Sequence, residues 1–347
     1  MRHPLPRLAA TFLAAAALAS LAPAGLAQTV TVTASAETTP VGTANDDAAD
    51  DPAIWRNPAA PARSLIVGTD KKAGLYVYGL DGQTRHFEPA GRLNNVDLLD
   101  LGRRGVIVVA SDRNDPAAAL LRLYRLNTRS GALTPLGTVS GGAGEAYGVC
   151  LLRTAAGFDA FSVLKDGAVH QVRITLPGKT SAAKAPSGEI VRTLRLTTQT
   201  EGCVADPRTQ TLYVGEEDRG IWAFDARAEA PASGQLVAPV DGAHLVADVE
   251  GLALLPQGRK GGLLVASSQG DNAYALYRLP GMTPAGRFRI GAGALGSVEE
   301  TDGIALAPGT FGRAFPQGLF VAQDGDNAPA AQNFKLVSWK RVNASLE

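Results

Sequence analysis

Asp50-Asp51-Pro52-Ala53-Ile54-Trp55 opens a phrase that returns five more times along the 347-residue chain. Its later forms are Asn94-Asn95-Val96-Asp97-Leu98, Glu145-Ala146-Tyr147-Gly148-Val149, Glu201-Gly202-Cys203-Val204, Asp248-Val249-Glu250-Gly251-Leu252 and Thr301-Asp302-Gly303-Ile304. Each is an acidic or polar cluster running into a short apolar strand. A second strand that ends in polar residues follows at 65–70, 106–111, 160–165, 211–216, 262–267 and 318–323, then an alternating third at 75–78, 121–124, 169–172, 221–224, 274–277 and 335–339. With Asp51, Asp97, Tyr147, Glu201, Glu250 and Asp302 as markers, successive repeats are 46, 50, 54, 49 and 52 residues apart. Short strands rich in β-branched and aromatic residues, recurring at that period between Gly and Asp or Asn turns, predict a propeller.

The expected fold is therefore all-β: a six-bladed β-propeller of four-stranded antiparallel blades. Weaker fourth strands fit at 189–196 and 287–290, and the sixth blade lacks one after Trp339. The alternating stretch Thr29-Val30-Thr31-Val32-Thr33 is expected to pair beside 334–339 and close the ring, leaving no open edge. Two unrelated β-domains are the alternative reading.

Residues 1–27 read as a signal peptide: Arg2, His3 and Arg7 precede an apolar run, and Gly25 and Ala27 stand three and one residues before a cleavage point at Gln28. The mature chain, 28–347, is expected to be one propeller domain, secreted or periplasmic. It carries 31 basic and 33 acidic residues, a balance that attracts neither nucleic acid nor an anionic membrane in bulk. No segment is long and apolar enough for a membrane span. A monomer is the expected state.

In a propeller the first strand of each blade lines the axis, so the residues before it gather at one mouth of the channel. Here these are Asp50, Asp51, Asp97, Tyr147, Glu201, Asp248, Glu250 and Asp302. Two unit charges 4 Å apart repel by roughly 4 kcal/mol at an effective dielectric near 20. So many carboxylates converge only with a cation, and a flexible set of hard oxygen ligands favours calcium. Zinc is excluded by four scattered His and two distant Cys. Singly, each acid could equally be a solvated turn residue. Lys71, Lys72, Arg113 and Lys165 end the second strands of the first three repeats, and their grouping beside an acidic centre fits a polyanion.

The chain also resembles the β-propeller phytases, a calcium-dependent 3-phytase family. The likeness is carried by Asp50–Trp55, Lys71-Lys72-Ala73-Gly74-Leu75, Leu93-Asn94-Asn95-Val96-Asp97, Thr200-Glu201-Gly202, Glu216-Glu217-Asp218, Asp248-Val249-Glu250-Gly251-Leu252, Ser267-Ser268-Gln269-Gly270, Thr301-Asp302-Gly303 and 318–325, in order over about 34–339. The resemblance implies hydrolysis of myo-inositol hexakisphosphate, with several calcium ions at a cleavage site and an adjacent affinity site for the neighbouring phosphate. It makes Glu201, Asp248, Glu250 and Asp302 catalytic calcium ligands, with Asp51, Asp97, Glu217, Gln269 and Asn327 as further ligands or water and phosphate contacts. Lys71, Lys72, Arg113, Tyr147 and Lys165 correspond to the phosphate-binding side, and Glu37, Asp47 and Asp324 to additional calcium sites. Asp70, the extra acid of Ser111-Asp112-Arg113 and the short loop 326–332 depart from the family pattern, which leaves the preferred phosphate ester open. The rival functions are another metal-dependent propeller hydrolase of the lactonase or phosphotriesterase kind, and a non-enzymatic calcium- or phosphate-binding propeller.

The only two cysteines, Cys150 and Cys203, hold nearly the same repeat position in the third and fourth repeats. Inner strands of adjacent blades are where two Cα atoms can come within disulfide range, and export would permit the bond. Two separate buried thiols are the equal alternative.

Overall fold

Runs of Val, Ile, Leu and aromatic residues alternate along the chain with Gly, Asp and Asn turns, and in the computed structural model each run is a strand. The structure describes Met1 and residues 28–44, 46–155, 157–178 and 185–346. The signal-peptide segment expected at 1–27 lies outside the described residues, Met1 apart.

The strands form six sheets. Their first strands are Ala49–Trp55, Leu93–Asp100, Ala146–Arg153, Thr200–Asp206, Val249–Gln257 and Ile304–Pro308. Each touches the next, and the sixth returns to the first, so the six inner strands surround one axis. In blades one to five the chain steps outward through antiparallel pairings from the first strand to a fourth, and in blade six through three strands, to which a fourth from the N-terminal segment is added. This is a six-bladed β-propeller with four-stranded antiparallel blades.

The core lies between blades rather than inside them. Leu65, Val67 and Val77 of blade one pack on Val96, Val108 and Tyr124 of blade two. Equivalent clusters join blades two to three, three to four, four to five, five to six and six to one. A blade buries both faces against neighbours, which explains why its second strand reads as a continuous apolar run. Each such Leu, Ile or Val contributes about 1.5–3 kcal/mol on burial.

Ring closure differs from the sequence expectation. The strand that completes blade six is Ala36–Glu37, paired with Asn333–Ser338 through Ala36 opposite Leu336 and Glu37 opposite Lys335. Thr29–Thr33 instead runs parallel to Thr283–Gly291, the outer strand of blade five. The reason is packing: Val30 and Val32 join Phe288, Ile290, Trp339 and Val342 in one apolar cluster, where the C-terminal helix Trp339–Leu346 also sits.

Candidate functional site

One backbone irregularity builds the mouth of the channel. In blades one to five the ladder between first and second strands skips a residue at the same place: Thr200 faces Glu216, yet Cys203, three residues on, faces Val214, only two back. The same skip follows Ala49, Leu93, Ala146 and Val249. A bulge of this kind unpairs residues and re-aims their side chains. The released pairs are Asp50-Asp51, Asn94-Asn95, Tyr147-Gly148, Glu201-Gly202 and Glu250-Gly251.

Glycine follows the marker in four blades because the backbone at the start of the next blade's inner strand presses against it. A Cβ on Gly148 would collide with the Glu201 carbonyl, one on Gly202 with the Glu250 carbonyl, and one on Gly303 with Asp51 and the Asp50 carbonyl. The recurring acid-glycine pair is thus a packing device as well as a source of carboxylates.

The result is a polar cavity of about 590 Å³ at one end of the channel, lined by Asp47, Lys71, Tyr147, Glu201, Glu217, Asp248, Glu250, Gln269 and Asp302 among others. Carboxylate oxygens of Glu201, Glu217 and Glu250 lie within 4.8 Å of one another. Burial, then Asp50, Glu250 and Asp302, push Glu201 well above the usual carboxylate range. Burial, then Asp302 and Glu217, do the same to Glu250. Burial and Asp50 raise Asp302 to about 7 against the pull of Lys71, and burial with Asp248 raises Glu217 to about 7. Burial and Asp218 also raise Asp248. Gln269 Nε2 donates to Asp302 Oδ1 at 2.6 Å, and Asn94 Nδ2 donates to Glu201 Oε1 at 2.8 Å.

Positive charge enters at two places. Lys71 Nζ lies 2.8 Å from Asp47, 3.0 Å from Asp50 and 3.4 Å from Asp302. Burial would pull its pKa down, but Asp50, Asp302, Asp47 and Glu201 outweigh that and keep the ammonium charged. Arg113 and Lys165 both stack on the Tyr147 ring, at 5.5 and 5.0 Å from its centre. Burial and Glu201 push the Tyr147 hydroxyl upward, so it stays a hydrogen-bond donor.

A divalent cation fits this mouth. The donors are oxygens, and Glu217 Oε1, Glu250 Oε2 and Asp50 Oδ1 are buried without a hydrogen-bond partner. A buried charge in that state is costly unless a cation or a proton meets it.

The Phytase family model matches residues 5–347. The 3-phytase of Bacillus subtilis (strain 168) is 38% identical over 332 residues, covering 91% of this chain and 85% of that protein. The chain belongs to the phytase family. It is accordingly a phosphoric monoester hydrolase. A chain of the solved structure titled "Crystal Structure of Mitotic Checkpoint Complex" superposes with TM-score 0.49 at 16% identity, over 92% of this chain and 88% of that one, a likeness too slight to bear on function.

Other residues singled out in the sequence lie elsewhere in this phytase-family chain. Asp51 and Asp97 were expected at the mouth, but they line the channel below it. Asp51 follows Asp50 on one extended strand and so turns the other way. Its Oδ2 accepts from the Val96 N–H of blade two at 3.0 Å, and Asp97 Oδ2 accepts from the Leu151 N–H of blade three at 2.8 Å. Burial raises Asp97 to about 6 against those amide bonds. Lys72 points away, 3.2 Å from Asp46. Glu37, Asp324 and Asn327 converge, and at their centre is the buried ammonium of Lys335, 2.5, 3.0 and 3.0 Å away respectively. Cys150 and Cys203 are joined by a disulfide, with Cα atoms 5.7 Å apart, tying blades three and four behind Tyr147 and Glu201.

Sequence reasoning missed Gln323, which receives the Asp302 N–H at 2.7 Å and donates to the Ala49 carbonyl at 3.2 Å, bridging blades six and one. Its signal was available: it ends a second strand, as Lys165 does.

Proposed function

We propose that this chain hydrolyses phosphate monoesters of myo-inositol hexakisphosphate, with calcium held at the acidic mouth, and that it acts after export and removal of residues 1–27. Family membership and the 38% identity to a 3-phytase support the substrate class. The observation that carries the calcium reading is the set of buried, unpartnered carboxylate oxygens on Glu217, Glu250 and Asp50 beside the Lys71 ammonium. Glu201, Glu217, Asp248, Glu250 and Asp302 would hold the ions, with Gln269 orienting Asp302. When bound, calcium supplies Lewis acidity, neutralising phosphate charge and lowering the pKa of an attacking water.

The chain's own groups divide the remaining work. Lys71 stays charged within the acid cluster and offers an ammonium to a phosphate oxygen. Arg113 and Lys165, both held over the Tyr147 ring, give a second cationic position, and Tyr147 contributes a neutral O–H donor beside them. Two adjacent anion positions suit a substrate bearing vicinal phosphates and leave a neutral ester without partners. Metal-free, the same mouth repels phosphate through its carboxylates.

The test is phosphate release from inositol hexakisphosphate by chelated protein with calcium restored, beside hydrolysis of a neutral lactone or phosphotriester. Release that requires calcium, with no neutral-ester turnover, supports the reading. Release unaffected by chelation, or faster turnover of the neutral ester, contradicts it.

A further inference from the structure

The opposite end of the channel has a different chemistry. A second cavity of about 630 Å³ opens there, walled by the inner strands of all six blades. Each blade gives it an aliphatic side chain, Ile54, Leu98, Leu151, Val204, Leu254 and Leu306, while Asp51 and Asp97 also line it, their carboxylates bonded to the Val96 and Leu151 N–H groups. Most of the aliphatic ones remain half-exposed rather than buried. The size lies within the roughly 300–1,000 Å³ of small-molecule pockets, which are mostly apolar with a few placed polar groups.

Around that opening the turns from first to second strands form a ring. Each carries an arginine: Arg63, Arg103, Arg153, Arg208, Arg259 and Arg313. The turns themselves, 56–64, 101–105, 153–157, 207–210, 257–261 and 308–317, contain no Asp or Glu. Arg208 is half-buried and bonded to Asp206 at 2.7 Å, and Arg153 is exposed and donates to the Asp100 carbonyl, while the other four are exposed and have no ion-pair partner among the described residues. Arg153 and Arg208, on adjacent blades, reach the cavity wall itself. A chain of near-zero net charge therefore presents a predominantly basic rim here, with Asp100 and Asp206 beside it, opposite its acidic mouth.

The geometry points to a binding site for an anionic aliphatic amphiphile, its tail in the channel and its head group on the arginine rim. The two features ask for one molecule: largely aliphatic walls take a chain, and the exposed guanidiniums of Arg63, Arg103, Arg259 and Arg313, which have no ion-pair partner among the described residues, take a carboxylate, sulfonate or phosphate head. A tail-less polyanion would leave the cavity unused. A neutral hydrocarbon would leave the rim unused.

Decanesulfonate below its micelle concentration is a suitable probe, since it cannot be hydrolysed by a phosphatase. Calorimetry on the full chain should show saturable one-to-one binding that tightens about fourfold per added methylene from hexane- to decanesulfonate. Binding should weaken with salt and exceed that of 1-decanol. Leu254→Trp, which fills the cavity, should abolish it. Arg153→Glu with Arg259→Glu, both at exposed positions, should weaken it at least tenfold. Phosphatase activity should stay unchanged in both variants, because neither site lies at the acidic mouth. Absence of saturable binding, affinity independent of chain length, or full affinity in the charge-reversed variant would overturn the proposal. Displacement of the probe by a short oligonucleotide at equal charge would assign the rim to a tail-less polyanion and overturn it too.

Discussion

The two ends of one channel are built from the same six strands and share almost no chemistry. At the acidic end a bulge in five blades frees a pair of residues per blade, and carboxylates crowd a polar cavity. At the other end the ladders run without that skip, alternation holds, and aliphatic side chains face the axis. The regular end satisfies its backbone and its burial locally. The bulged end leaves carboxylate oxygens buried and unpartnered, a cost that only a cation or protons relieve. Conflict between local stability and arrangement is expected where function sits.

The largest consequence should appear in turnover. Glu201→Gln removes a charge at the centre of the mouth and should lower kcat on inositol hexakisphosphate by about 10²–10³, the scale seen when a transition-state-stabilising group is lost. The same variant should raise the melting temperature of the chelated protein, because it removes mutual repulsion. A chelated variant that melts below chelated wild type would break the contrast between the two ends.

Chelation is next. Ligand in excess of its Kd by 100- to 1,000-fold stabilises by about 2.7–4.1 kcal/mol, so removal of calcium should lower the melting temperature by roughly 5–10 °C. The pH dependence of chelated protein has a definite sign. Asp302 and Glu217 titrate near 7 when folded, above the ordinary carboxylate values they regain when unfolded. The folded state therefore holds extra protons between about pH 4.5 and 7, and that stabilisation is lost as pH rises through 7. Chelated protein should melt higher at pH 5.5 than at pH 8, and calcium should narrow the difference. A flat profile would mean the mouth carboxylates do not share a site.

Smaller effects sharpen the boundary. Asp97→Ala leaves the Leu151 N–H unpaired at a blade junction and should cost about 1–3 kcal/mol in urea unfolding while retaining most turnover. Loss of turnover with unchanged stability would return Asp97 to the mouth. Arg113→Ala should weaken hexakisphosphate kcat/KM by about tenfold, as loss of one charge-assisted contact of ~1.5 kcal/mol does, and leave a simple aryl phosphate nearly unaffected. Equal losses on both substrates would remove the separate second anion position.

Much of this is legible in the sequence. The marker spacing of 46 to 54 residues announced the blades, and the acids ahead of each inner strand announced a mouth. The bulge was not legible, because a one-residue insertion leaves alternation intact on either side. For that reason the sequence groups Asp51 and Asp97 with the mouth acids, whereas their side chains line the channel below. The closing strand Ala36–Glu37 is two residues long, too short to show any period, whereas Thr29–Thr33 alternated cleanly and drew the assignment. The basic rim was hidden differently: each turn holds one or two arginines or lysines, unremarkable alone, and only ring closure brings them together. For Cys150 and Cys203, matching repeat positions left bonded and free states open, and the 5.7 Å separation of their Cα atoms reflects the contact of two inner strands.

The most direct test of the central claim is calcium binding by chelated protein, followed by calorimetry at pH 6.5 in two buffers of different ionisation enthalpy. If the mouth carboxylates are the ligands, binding should be saturable, release protons from Glu217 and Asp302, which titrate near 7, and lose its tightest step in Glu250→Ala. Binding without proton release and undiminished in Glu250→Ala would place the calcium elsewhere and contradict the account.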